Sequence, residues 1–100
     1  MRFTWDKNKS KSNEEKHGID FEQAKEVFQD ANLLVDKGRT TRGEERKLAI
    51  GKTLKLFLIT LVFTIRKSTI RIISARQARK KEIEVYLTQS LTRQDDENDD

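Results

Sequence analysis

"RIISARQARKKEIEVY", residues 71–86, decides how this chain is laid out. Its first half interleaves β-branched isoleucines with arginine and serine, which is a strand pattern. From Gln77 onward the apolar spacing changes, and Ile83, Tyr86, Leu87 and Leu91 fall on one side of a helix. No Gly or Pro separates the two halves. A strand therefore runs into a helix, with Ser74 and Arg76 at the seam. Strict alternation over 70–76 puts Arg76 on the face of Ile70, Ile72 and Ser74, with Arg71 on the other. An arginine that continues an apolar face either ends in an internal ion pair, with Glu82 as partner, or lines a site beside the sheet.

Working outward, the run LKLFLITLVFTI at 54–65 is so continuously apolar that it reads as a central strand. Arg66-Lys67-Ser68 is a turn between it and a strand at 69–75, and 44–51 reads as a strand before it. Residues 31–36 form a weak strand followed by a turn at Lys37-Gly38, and DKGRTTRGEE at 36–45 reads as a loop. At the N-terminus RFTW, residues 2–5, is a short strand. Asp6 then caps a polar helix that ends at His17 before Gly18, with Lys9, Asn13, Lys16 and His17 on one face. Asp20, with Gln23 three residues on, starts a second helix whose stripe Phe21, Ala24, Val27 and Phe28 is core. The order of strand, two helices, three or four strands and helix predicts an α+β domain with a largely antiparallel sheet.

One hundred residues make one domain with a single modest core. Hydrophobic residues are 34% and charged residues 38% of the chain, but the apolar ones cluster at 19–28, 48–65 and 70–91, as a folded domain requires. The net charge of +4 conceals an uneven distribution. Residues 95–100, DDENDD, carry five acids, so residues 1–94 hold 21 basic and 12 acidic side chains, a balance of +9. A single domain over 1–94 with a disordered acidic tail at 95–100 is expected, and the basic body points to a polyanion partner. There is no cysteine, no apolar N-terminal segment, and no apolar run approaching the ~20 residues of a membrane span. A soluble, cytoplasmic protein is expected.

Metal and cofactor chemistry find little support: one histidine, no cysteine, no carboxylate cluster at ligand spacing in residues 1–94, and glycines only at 18, 38, 43 and 51. A Ser-His-acid arrangement has no local sequence to recommend it. Phosphate chemistry remains. RNA supplies its own nucleophile, the ribose 2′-hydroxyl, so a protein need only move protons and stabilise charge on the phosphate. Guanidinium groups suit the second task, because they match two phosphate oxygens at once and stay charged. The chain has candidates at Arg46, Arg66, Arg71, Arg76 and Arg79. On composition alone, ion pair and active site stay open for Arg76. Trp5 and Tyr86 read as packing residues, with base stacking the alternative for Trp5.

Several segments taken together resemble the BrnT-type toxins of bacterial type II toxin–antitoxin systems. They are FTWDKNKSKSNEEKHGIDFEQAKEVFQD at 3–30, EERKLAIG at 44–51, LVFTIR at 61–66 and RIISARQARKKEIEVY at 71–86. The pattern rests on Trp5-Asp6, Asn13, Lys16-His17, Phe21-Glu22, Arg46, Ile50-Gly51 and Ile73-Ser74-Ala75-Arg76. Ala31 after Asp30 departs from a proline often found there, and the DDENDD tail is not a family feature. The resemblance implies a small RelE-like α+β fold and a metal-independent endoribonuclease that stops translation. It also implies neutralisation by a BrnA-type antitoxin with a ribbon-helix-helix domain, two toxins on an antitoxin dimer, and promoter DNA bound only through the antitoxin. On this reading Arg76 and Arg66 clamp phosphate, His17 transfers protons, and Arg46 and Glu45 assist. Lys16, Lys9, Arg79 and Lys80 attract RNA. A non-catalytic RNA-binding or antitoxin-docking module, or a protein seated on ribosomal RNA, is the alternative.

Overall fold

The computed structural model describes residues 1–98, with side chains described as far as Gln89. Five strands form one sheet in the order β1-β5-β4-β3-β2: β1 Arg2–Thr4, β2 Leu34–Thr41, β3 Glu44–Lys52, β4 Leu58–Arg66 and β5 Thr69–Gln77. Strands β2 to β5 are an antiparallel meander, and β1 adds to β5 in parallel. Helices α1, Lys7–His17, and α2, Phe21–Ala24, follow β1, and a 3₁₀ segment at Lys25–Gln29 continues α2. Helix α3 spans Lys80–Asn98. The class is the expected α+β with a mostly antiparallel sheet. The last helix runs through residues 95–98 of the acidic segment, and residues 99–100 lie outside the described ones.

The core forms where α2 and its 3₁₀ continuation lie on one face of the sheet. Ile19, Phe21, Ala24 and Val27 pack against Ala49, Ile59, Leu61, Phe63, Ile70, Ile72 and Ala75. Phe28 sits between Phe3 and Phe63, with ring centroids 5.3 and 5.2 Å away. Trp5 meets Phe21 edge-on at 6.4 Å, so it packs beside the core. Asp20 accepts a hydrogen bond from the Gln23 backbone N–H, as a helix cap should.

Three local readings change. The segment 36–45 is not a loop but most of β2 and a hairpin. Lys37 pairs with Lys47 and Thr40 with Glu45, so one extra residue is absorbed as a bulge at the expected Lys37-Gly38 turn. A Cβ on Gly38 would lie 2.2 Å from the Arg46 carbonyl oxygen, which only glycine tolerates. The turn is instead at Arg42-Gly43, where both residues have positive φ, 52° and 75°, as a two-residue type I′ hairpin requires. Second, the apolar run at 54–65 enters its strand only at Leu58. Leu54, Leu56 and Phe57 are exposed in a tight loop, because Leu56 turns into the left-handed region at φ 67°. Third, β5 continues to Gln77 before α3 begins at Lys80.

Candidate active site

The most consequential departure lies inside the stretch 71–86. Val62 pairs with Ser74, but the next residue, Phe63, pairs with Ile72, so Ile73 is a bulge in β5. Beyond a bulge the alternation of faces is reset. Ile70, Ile72 and Ala75 therefore all point into the core, while Arg71, Ser74 and Arg76 share the opposite, open face. The expected grouping of Arg76 with Ile70 and Ile72, and of Arg71 against it, is thus corrected. Without the bulge, the chain could not bury both Ile72 and Ala75 and still keep Arg76 out of the core.

Arg76 is half-buried at the seam. Its Nη1 and Nη2 donate to the two Glu82 carboxylate oxygens at 2.7 and 2.9 Å. Glu82 also accepts the Arg79 backbone N–H at 2.8 Å, the reach of a third helical residue back to the helix start. One carboxylate thus ties the end of β5 to the start of α3. The Arg76 guanidinium holds the Glu82 carboxyl down to about 2, against the burial that opposes it. Glu82 in turn raises the pKa of Arg76. A carboxylate this acidic is a poor proton shuttle near neutrality but a firm orienting group. The end-on pairing leaves the Nε–H and the second Nη2 N–H of Arg76 as another two-donor edge, suited to two phosphate oxygens.

Asn13 anchors α1 beside this seam. Strand β1 pairs only with residues 69–71 of β5, so the far part of that edge lacks a strand partner. There the buried Asn13 amide takes a strand's place, donating to the Ala75 carbonyl at 2.7 Å and accepting from the Ala75 N–H at 3.2 Å. Its nitrogen also donates to the Ile19 carbonyl at 2.8 Å. Lys9, Lys16 and His17, read as sharing a face with Asn13, are exposed. His17 lies one helical turn beyond Asn13, at the C-terminal end of α1. No hydrogen bond or ion pair among the described residues joins His17 to Arg76.

Arg66 and Arg46 do not join Arg76. Thr60 is the cross-strand partner of Arg76, whereas Arg66 ends β4 six residues further on, about 20 Å away at strand rise. There its Nε and Nη2 donate to Glu44 at 2.7 and 3.3 Å, and this carboxylate, lowered by Arg66, is spent on that pair. Lys47 pairs with Phe63, and one step further along the two strands come Arg46 and Thr64, with Arg71 opposite Thr64 on β5. Arg46, Thr64 and Arg71 thus form a row across the open face. Glu45 points to the other face, where Lys47 lies 2.9 Å away and lowers its pKa. It is separated from every one of these arginines by the sheet. Arg79 and Lys80 are exposed where α3 begins, next to the Arg76–Glu82 pair.

Between the two arginine groups the open face is floored by Leu48, Ile50, Thr60, Val62 and Ser74. A cavity of about 230 Å³ opens there under the first turns of α3, lined by Leu34, Asp36, Leu48, Ile50, Thr60, Lys81, Glu82 and Val85. Residue reasoning missed Asn13 as the edge-pairing group and Thr60 as the partner of Arg76. An isolated Asn amid charged helix residues was the only trace of the first, and a threonine inside an apolar run the trace of the second.

A family model described as "Ribonuclease toxin, BrnT, of type II toxin-antitoxin system" matches residues 5–82. A crystal structure of the Brucella abortus ribonuclease toxin BrnT superposes with a TM-score of 0.59 at 28% identity, over 80% of this chain and 99% of that one. Among curated proteins none matches. The matched range takes in α1, α2, β2 to β5 and both Arg76 and Glu82, and so the chain belongs to the BrnT family of ribonuclease toxins of type II toxin–antitoxin systems.

Proposed function

We propose that this chain is an endoribonuclease that cuts RNA without a metal ion, through the ribose 2′-hydroxyl. The 2′-oxygen attacks the adjacent phosphorus and forms a new P–O2′ bond while the P–O5′ bond breaks. The 2′-hydroxyl proton passes to a base, and the departing 5′-oxygen receives one from an acid, leaving a 2′,3′-cyclic phosphate and a 5′-hydroxyl. Arg76 stabilises the charge that builds on the non-bridging oxygens, using the two-donor edge that Glu82 leaves free. Glu82 positions the guanidinium. His17 is the proton-transfer group, since imidazole is the side chain suited both to accept and to donate a proton. Supporting this role, Asn13 fixes α1 to Ala75, the residue before Arg76, and His17 follows one turn on. Lys9, Lys16, Arg79 and Lys80 supply attraction to the RNA backbone.

The observation that carries the reading is Arg76 on the open face, oriented through both terminal nitrogens in a member of a ribonuclease toxin family. Membership of a type II system implies a protein antitoxin. We further propose that this partner is BrnA-type with a ribbon-helix-helix domain, that its dimer carries two toxins and recognises promoter DNA, and that the free toxin acts in the cytoplasm to halt translation. End-labelled RNA incubated in EDTA with the wild type, Arg76→Ala and Arg76→Lys tests the chemistry. Cleavage by the wild type, cyclic-phosphate ends by mass spectrometry, and loss of about 100-fold or more in Arg76→Ala are expected. Equal cleavage by folded Arg76→Ala removes Arg76 from the reaction, and RNA binding without cleavage by the wild type favours a non-catalytic binding or docking module.

A further inference from the structure

The arginines that do not reach Arg76 make a second feature at the opposite end of the open face. Arg46 lines two cavities there, of about 350 and 230 Å³, shared with Arg39 in one and with Arg42 and Arg66 in the other. Its Nε is buried and, among the described residues, has no hydrogen-bond partner. Native folds rarely leave such a donor idle, and the adjoining cavities give the guanidinium room to turn onto an incoming anion. The only carboxylate lining either cavity is Glu44, already held by Arg66. Arg71 stands in the same row, opposite Thr64. Arg42 occupies a left-handed hairpin position that Asn or Gly would fill at less cost, and this places its side chain at the smaller cavity.

We propose that Arg46, flanked by Arg42 and Arg66, is a second phosphate-binding station, separate from the Arg76 centre, that holds the backbone of single-stranded RNA a few nucleotides from the bond that is cut. The proposal rests on the ribonuclease reading of the Arg76 end and names the form of its substrate. Thr60, beside Arg76, and Thr64, beside Arg46, are four residues apart on β4, about 13 Å at strand rise. That distance corresponds to about four stacked nucleotide steps of ~3.4 Å, and to fewer if the strand is stretched. The floor between them, Leu48, Val62 and Ser74, carries no cation and offers a surface for ribose and base, with Asp36 beside Leu48 on β2. No aromatic ring among the described residues lies on that floor, so binding relies on the backbone and tolerates many sequences.

The test is fluorescence anisotropy of the full chain with a labelled 2′-O-methyl hexanucleotide, which keeps the phosphates but lacks the nucleophile, across a salt series. Beside it runs cleavage of the unmodified hexanucleotide. Arg46→Ala is expected to weaken binding about 10-fold and to lower the salt slope by about 0.7, one phosphate contact on a single strand. Its cleavage should weaken mainly through a raised KM, whereas Arg76→Ala loses kcat. Arg46→Lys should recover most of the salt slope, which a merely misfolded face would not. Unchanged affinity and slope in Arg46→Ala overturn the proposal. So does a loss of kcat with unchanged affinity, which moves Arg46 into the reacting centre. If the wild type never cleaves, the ribonuclease reading fails, while the binding arm still decides whether the station exists.

Discussion

Asn13 replaces a missing length of β1 with one side chain. Its amide satisfies the N–H and C=O of Ala75 and the carbonyl of Ile19, all away from water. Asn13→Ala is expected to destabilise the fold by about 2–4 kcal/mol, because it leaves buried backbone groups unpaired. A urea titration measures it, and a loss below 0.5 kcal/mol, about the size of a neutral surface change, contradicts the edge-pairing role. Glu82 is the second decisive residue. Its folded-state carboxyl sits at about 2, well below its ordinary value near 4.5, chiefly through Arg76. A depressed carboxylate stabilises the fold fully above its unfolded pKa and loses that contribution as pH falls through its folded one. Thermal midpoints of the wild type should therefore drop between pH 4.5 and about 2, and those of Glu82→Gln should fall less steeply. Parallel curves for the two proteins refute the coupling. Sequence spacing exposed the Arg76–Glu82 pair, six residues apart across a seam. It could not expose the edge pairing of Asn13, because the Ala75 groups it serves lie 62 positions away along the chain.

At the scale of elements, a single extra residue in β5 decides which arginines lie on the open face. Deleting Ile73 restores strict alternation, so that either Arg76 or the Ile70–Ile72 pair must turn to the wrong face. Such a variant should lose about 3 kcal/mol or more and all cleavage, read by circular dichroism and the end-labelled RNA assay. A folded variant that still cuts RNA shows the bulge to be incidental. The β2–β3 hairpin offers a contrasting case. Arg42 holds positive φ where Asn is at ease, so Arg42→Asn should stabilise the protein by about 0.5–1 kcal/mol. In the same variant RNA affinity should fall, since Arg42 lines the cavity beside Arg46. Stability and binding moving together in the same direction would remove any functional reason for the strained arginine. The reason most of β2, beyond the weak strand read at 31–36, escaped the sequence reading is its composition. Its Lys, Gly and Arg look like loop composition, and its strand character comes from pairing with β3 across a bulge. The strand character of 54–65 and 69–75 was legible because both runs are rich in apolar and β-branched residues, although the first enters its strand only at Leu58. A bulge leaves no compositional mark, so the face of Arg76 was not.

For the whole molecule the governing quantity is charge. Residues 1–94 carry nine more positive than negative side chains, and the last six residues reduce the total to +4. Three of the tail's acids, Asp95, Asp96 and Glu97, fall in the last turn of a helix running to Asn98, and negative charge at a helix C-terminus is unfavourable. Stability therefore gives no reason to keep them. Removing residues 95–100 should leave the thermal midpoint unchanged or raise it. It should also tighten binding of the 2′-O-methyl hexanucleotide several-fold at about 50 mM salt, because the strand then meets the full basic field. The gain must shrink as salt rises, since charges more than about 8 Å apart are largely screened near physiological ionic strength. Two salt series, one for each length of the chain, separate this from a local contact. Curves that converge at high salt mark long-range repulsion between tail and RNA. A constant ratio at every salt concentration means the tail occupies the RNA face as a bound competitor, and identical curves mean that its charge does not reach the face at all.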